Sequence, residues 1–94
     1  MRTEPVEIYD DAPNVAVLRH PGRRFPGSLI QGDSLSILVG EAQWLLKRVS
    51  KSKDRALVAA AREHAEKLQE RLEHYEKVLA EHNIQLPYVK ANDT

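Results

Sequence analysis

The chain has no cysteine. That excludes a disulfide framework and a thiolate metal site, and it fits a reducing cytoplasm as the expected compartment. Neither sign of charge prevails: 14 basic and 14 acidic residues give a formal net charge of zero. Bulk attraction to nucleic acid or to an anionic membrane is not expected. Aromatics are scarce; Tyr9, Phe25, Trp44, Tyr75 and Tyr88 are the whole set. No apolar run approaches the ~20 residues needed to cross a bilayer. The opening Met1-Arg2-Thr3-Glu4-Pro5 carries no apolar stretch of the signal-peptide kind. At 94 residues the chain reads as one domain, 1–94, with a small core that buries only about 60–65% of the unfolded surface.

Proline and glycine are present but unevenly spread. Residues 1–32 hold four of the five prolines and three of the four glycines. Val6-Glu7-Ile8-Tyr9 alternates apolar and polar, a strand signal, and Val15-Ala16-Val17-Leu18 is a β-branched run. Ser28-Leu29-Ile30-Gln31 is the third strand. Asp10 to Asn14, Pro21-Gly22 and Pro26-Gly27 are turn chemistry. A three-stranded antiparallel sheet over 5–31 follows, covered on one face by helix.

The first helix is expected over 34–49, with Asp33 or Ser34 capping its free amides. Leu35, Leu38, Ala42, Leu45 and Val49 share one stripe, and Ile37, Val39, Trp44 and Leu46 widen it. Such a helix should be buried on two sides, so Leu45 is expected in the core. From Asp54 to His82 there is no Pro or Gly, and the second helix is expected over 53–83. Ser52 is the expected cap, with Asp54 near the positive helix end. Glu63 with Lys67 and Glu73 with Lys77 are spaced for ion pairs. Asn83 and Pro87 mark its stop. Residues 84–94 form a tail: Leu86-Pro87-Tyr88-Val89 packs back, and Lys90 to Thr94 frays.

In that second helix Val58, Ala61, Ala65, Leu68, Leu72, Tyr75 and Leu79 recur at steps of 3 and 4, a heptad seam. At about 1.5 Å per residue the helix is roughly 43 Å long, against roughly 32 Å for a compact domain of this size. Its far end should therefore overhang. Leu68, Leu72, Tyr75 and Leu79 are the candidates for self-association, and a homodimer is expected.

The least generic stretch is Arg19-His20-Pro21-Gly22-Arg23-Arg24-Phe25-Pro26-Gly27. Prolines and glycines hold a loop from which guanidiniums project, a fork that suits carboxylates or phosphates. Arg19, His20, Arg23, Arg24 and Phe25 are the candidate partner-binding residues. The plainer reading is a solvated loop whose arginines pair with Asp10, Asp11 or Glu7. A second basic cluster, Lys47, Arg48, Lys51, Lys53 and Arg55, lies at the helix–helix turn. Gly32-Asp33-Ser34 at a helix start is explained by capping. His64, His74 and His82 have neither His-x-x-x-His nor Glu-x-x-His spacing. No cofactor motif, metal site or catalytic residue is assigned.

Val6 to Tyr9, Asn14, and Arg19 through Gly27 into Leu29-Ile30-Gln31-Gly32-Asp33-Ser34-Leu35 resemble an uncharacterised family of small bacterial proteins. The resemblance covers residues 6–35 and fades in the long helix. It implies a stand-alone bacterial domain and no activity. It also makes the arginine loop and the Gln31-Gly32-Asp33 turn the first choices for a functional surface.

The fold class read from these patterns is α+β: a small three-stranded antiparallel sheet followed by a helical hairpin with one long C-terminal helix. The leading function is a non-catalytic, cytoplasmic protein-binding module, such as a small adaptor or an immunity or antitoxin protein that masks an enzyme. An alternative is anion or nucleic-acid binding through Arg19, Arg23, Arg24 and the Lys47–Arg55 cluster; zero net charge and few aromatics stand against it. A small enzyme using His20 is the third, with no nucleophile fixed near that ring.

Overall fold

Two turns of the same chemistry shape the N-terminal part. Ala12-Pro13-Asn14-Val15 closes with Val15 N–H donating to the Ala12 carbonyl at 3.2 Å, and Asn14 sits at φ 66°. His20-Pro21-Gly22-Arg23 closes with Arg23 N–H donating to the His20 carbonyl at 3.1 Å, and Gly22 sits at φ 82°. Proline second and a left-handed residue third is the type II pattern. Asn tolerates that conformation through its short polar side chain, and Gly through having none.

In the computed structural model, which describes residues 1–90, these turns join β1 (Glu7–Asp10), β2 (Val17–Arg19) and β3 (Gly27–Ser28). Helices α1 (Gly32–Val49) and α2 (Arg55–Glu81) follow. The architecture is α+β: a three-stranded antiparallel sheet, then two packed helices, the second one long. The chain divides into two compact units, one of Met1–Gln31 and one beginning at Gly32, at the composition boundary visible in the sequence.

In the sheet unit the strand order is β1-β2-β3. Glu7 lies opposite Arg19 and Ile8 opposite Leu18, but Asp10 rather than Tyr9 lies opposite Val17. Tyr9 is therefore an extra residue, a bulge of the kind that increases local twist. β1 has the expected length, shifted by one residue, whereas β2 and β3 are shorter than expected, and β3 has only two residues. No side chain of this unit is fully buried; Leu18 and Val17 are half-buried.

In the helical unit one side of α1 is buried, not two. Gly32, Leu35, Val39 and Ala42 are buried and Leu46 and Val49 half-buried, at steps of 3 and 4. Leu45, expected in the core, is 51% exposed, and Ile37, Leu38 and Trp44 are exposed with it. The reason is angular: at 100° per residue Leu45 falls well off the line through Leu35, Val39 and Leu46. On α2 the expected seam is the buried one: Ala65 and Leu72 are buried, and Val58, Ala61, Leu68, Tyr75 and Leu79 are half-buried. Leu35, Val39 and Leu72 form the core cluster, with Leu68, Tyr75 and Tyr88 packed on it.

The hairpin turn corrects one cap. Asp54, not Ser52, caps α2: its Oδ1 accepts from Leu57 N–H at 3.0 Å, while Ser52 Oγ accepts from Asp54 N–H at 3.1 Å. The helix consequently starts at Arg55 rather than at residue 53. The Glu63–Lys67 pair is present at 3.3 Å. Glu73 instead accepts from Gln69 Nε2 at 3.1 Å, and Gln69 Oε1 accepts from Gln43 across the hairpin at 2.7 Å. At the far end Asn83 adopts φ 57°, Ile84 N–H donates to Leu79 O and Asn83 N–H to Ala80 O. These are the two bonds of a Schellman stop. The chain then turns back so that Tyr88 packs on the core cluster and donates to Glu76 Oε2 at 3.0 Å. Residues 91–94 of the expected frayed tail lie outside the described residues.

Candidate functional site

The loop between β2 and β3 is built from its first residue. Arg19 ends β2 opposite Glu7, and the two side chains form an ion pair across the strands. The same guanidinium donates from Nη1 to the Arg23 carbonyl at 2.8 Å. His20 is pinned as well: its Nδ1 lies 2.8 Å from the Pro21 carbonyl, which requires Nδ1–H as the donor. With the Pro21-Gly22 turn, these contacts fix the loop backbone without help from the side chains of Arg23 or Arg24.

The three arginines therefore separate. Arg19 is a brace. Among the described residues no carboxylate lies within ion-pair distance of Arg23 or Arg24. Arg24 stacks its guanidinium over the Phe25 ring at 5.3 Å from the centroid, a cation–π arrangement. Phe25 itself is 71% exposed. Beside them lies a shallow cleft of about 460 Å³. Leu18, Phe25 and Leu29 are its apolar lining, joined by Gly27 and Ser28 of β3 and by His20, Arg23 and Arg24. Four of the five residues singled out in the sequence, His20, Arg23, Arg24 and Phe25, thus meet at one cleft. Arg19 stands behind it. The strand pairing that separates Arg19 from the others is the part the sequence did not display.

The helical unit holds the other candidates. Leu68, Leu72 and Tyr75, expected to face a second copy, pack inside the hairpin. Leu79 is half-buried near the Schellman stop. Lys47, Arg48, Lys51, Lys53 and Arg55 are all exposed around the helix–helix turn, and Arg48 lies over Trp44 at 4.9 Å. Among the described residues no group of three His, Asp or Glu side chains is placed to hold a metal ion, and no helix is long and apolar enough to cross a membrane. The tail supplies one perturbed group. Burial, then the hydrogen bond and charge of Glu76, push the Tyr88 phenol well above its ordinary value. Glu76 is also 3.9 Å from Lys90 Nζ.

The arrangement offers charge and apolar surface for binding. Its sequence neighbourhood is a shared one. The chain belongs to a family of unknown function (DUF6959). The match covers residues 1–88, so it runs well past the 6–35 stretch and takes in the β2–β3 loop, both helices and the returning Tyr88. No curated protein matches the chain, and no solved structure does. The DUF6959 assignment brings no activity with it, and the functional reading rests on the loop and the cleft.

Proposed function

We propose that this chain is a non-catalytic protein-binding module that recognises its partner through the β2–β3 loop. An adaptor or an immunity- or antitoxin-type protein is the concrete form. One observation carries the reading. The loop is held by Arg19, His20 and the Pro21-Gly22 turn through backbone groups, which leaves the Arg23 and Arg24 side chains without a role in holding it. Two adjacent guanidiniums on a braced backbone cost little loop freedom on binding, which favours recognition.

The test is the Arg23→Ala/Arg24→Ala double variant. It should keep its melting temperature, since surface substitutions away from special contacts usually move stability by less than about 0.5 kcal/mol. It should lose the partner that the native chain captures, whereas a Lys51→Ala/Lys53→Ala control should retain it. Capture that survives the loop variant, or that fails only in the control, removes the loop from consideration. The latter outcome points to the basic turn, and hence to the anion or nucleic-acid alternative.

A second reading, self-association, is favoured by α1. Ile37 and Trp44 are exposed on the side of α1 opposite its buried seam, and Leu38 and Leu45 are exposed on the flank between. An antiparallel copy of α1 with its axis between Trp44 and Leu45 sets each Glu41 against the other copy's Arg48 and Trp44 against Leu45. The occupant this pattern suits is a second chain. Light scattering at micromolar concentration tests it: twice 10.7 kDa supports the dimer, and a monomer rejects it.

A further inference from the structure

We propose that the cleft beside the β2–β3 loop takes an extended, acidic protein segment with an apolar side chain between its carboxylates. This rests on the protein-binding reading and names the ligand class for the same site.

Three features select that class. The first is charge. Arg23 and Arg24 line the cleft and no acidic residue does. Glu7, opposite Arg19 in the sheet, is engaged by it. A basic segment is repelled, and a carboxylate meets a fork able to take it bidentately. The second is the apolar lining. Leu18, Phe25 and Leu29 give it an apolar surface, and Leu29 and Phe25 are substantially exposed. A free anion leaves that surface in water, whereas a Leu or Ile side chain covers it. The third is the open strand edge. The order β1-β2-β3 leaves β3 unpaired on its outer side. Leu29 N–H donates inward to Ala16 at 2.9 Å. By strand alternation the main-chain groups of Ser28, one residue earlier, face the open edge. An extended chain meets that edge with its own amide and carbonyl.

A nucleic-acid strand fits less well. Its successive bases stack on several aromatic faces, and Phe25 is the one aromatic at the cleft, with Arg24 over one of its faces.

The experiment uses the full chain, isotope-labelled for amide shift mapping. Three blocked seven-residue peptides are titrated: alternating Asp and Leu, alternating Asp and Ser, and alternating Lys and Leu. Inorganic phosphate is titrated as a fourth probe. The Asp–Leu peptide should shift the amides of Phe25, Gly27, Ser28 and Leu29. The Asp–Ser and Lys–Leu peptides should bind at least about tenfold more weakly, and Arg23→Ala/Arg24→Ala should weaken the Asp–Leu peptide by a similar factor. Ser28 shifts with the Asp–Leu peptide but not with phosphate support the edge contact. Equal binding of the Asp–Ser peptide, or of phosphate alone, marks a bare anion site and overturns the proposal. So does equal binding of Lys–Leu, or no shift at the cleft. If the Asp–Leu peptide fails while capture of the native partner still depends on Arg23 and Arg24, the ligand class falls and the binding-module reading stands. If both fail, both fall.

Discussion

Gly32 and Gly40 both lie in α1, and the same change at each should act with opposite sign. A Cβ built at Gly32 falls on the hydroxyl and ring edge of Tyr75, whereas one built at Gly40 meets nothing within 4 Å. Neither glycine has the positive φ that only glycine tolerates, so sterics and helix propensity decide. Alanine is preferred over glycine in a helix interior by about 0.5–1 kcal/mol, and Gly40→Ala should gain about that much. At Gly32, the first residue of α1, the gain is smaller. Against it stands overpacking, which typically costs about 1–3 kcal/mol. Tyr75 is half-buried and packs on Leu35, Val39 and Leu72, so its ring yields only by leaving that cluster. We expect a net loss of about 1–2 kcal/mol for Gly32→Ala. The melting temperature should fall by at least roughly 4–8 °C and rise for Gly40→Ala, read by circular dichroism at 222 nm. A Gly32→Ala/Tyr75→Leu double variant removes the obstruction, so it should be less destabilised than the two single changes added together. A melting temperature raised by Gly32→Ala, or strict additivity in the cycle, refutes the close packing of Tyr75 on Gly32.

The core makes a second contrast. Leu72→Ala should lose about 2–5 kcal/mol and Leu45→Ala under about 1.5 kcal/mol; comparable urea midpoints would contradict the burial of one and exposure of the other. The third concerns pH. The Tyr88 phenol is raised above its usual 10.0 in the folded chain, so above about pH 10 the unfolded chain releases a proton that the folded chain keeps, and stability falls as pH rises. This group's contribution is whole below pH 10. Tyr88→Phe should lose about 1 kcal/mol at neutral pH with the Glu76 bond and show a shallower alkaline decline in urea titrations; identical slopes for both chains would reject the buried phenol. Fourth, Trp44→Glu should return a dimer to 10.7 kDa by light scattering, while Glu63→Ala should leave its mass unchanged.

Element types were legible because each rests on local chemistry. The Pro-Gly and Pro-Asn turns, the Pro- and Gly-free run of α2, and Asn83 before Pro87 are instructions read within a few residues. Two things were not legible. Which of two capping residues starts α2 depends on backbone direction, and Ser52 and Asp54 differ there only once the turn is formed. Which side of α1 is buried depends on the partner helix. Nine apolar positions in α1 admit more than one stripe, and Leu45 belongs to one while Leu46 belongs to the other. At the site, Arg19, Arg23 and Arg24 carry the same side chain within six residues. Only the pairing of β1 with β2 gives it Glu7.

The heptad seam of α2 shows where length and periodicity cease to imply a partner. Steps of 3 and 4 over seven positions state that one face must be covered, and say nothing of which chain covers it. A second seam with the same steps lies in the same chain: Gly32, Leu35, Val39, Ala42, Leu46 and Val49. The short connection from Ser50 to Asp54 presents it to α2 at a high effective concentration. An intermolecular partner must compete with that. α2 has 27 residues against 18 for α1, but the overhang is limited at its far end because Tyr75 meets Gly32, the first residue of α1. Only about two turns of α2 lie beyond that contact. The Schellman turn sends the chain back over this stretch, where Tyr88 bonds Glu76. Truncation after Asn83 should therefore remove Tyr88 from the core cluster and bare the end of the α2 seam. The truncated chain should be less stable and self-associate more readily in sedimentation than the full chain. Equal mass and equal stability would show that the tail covers nothing.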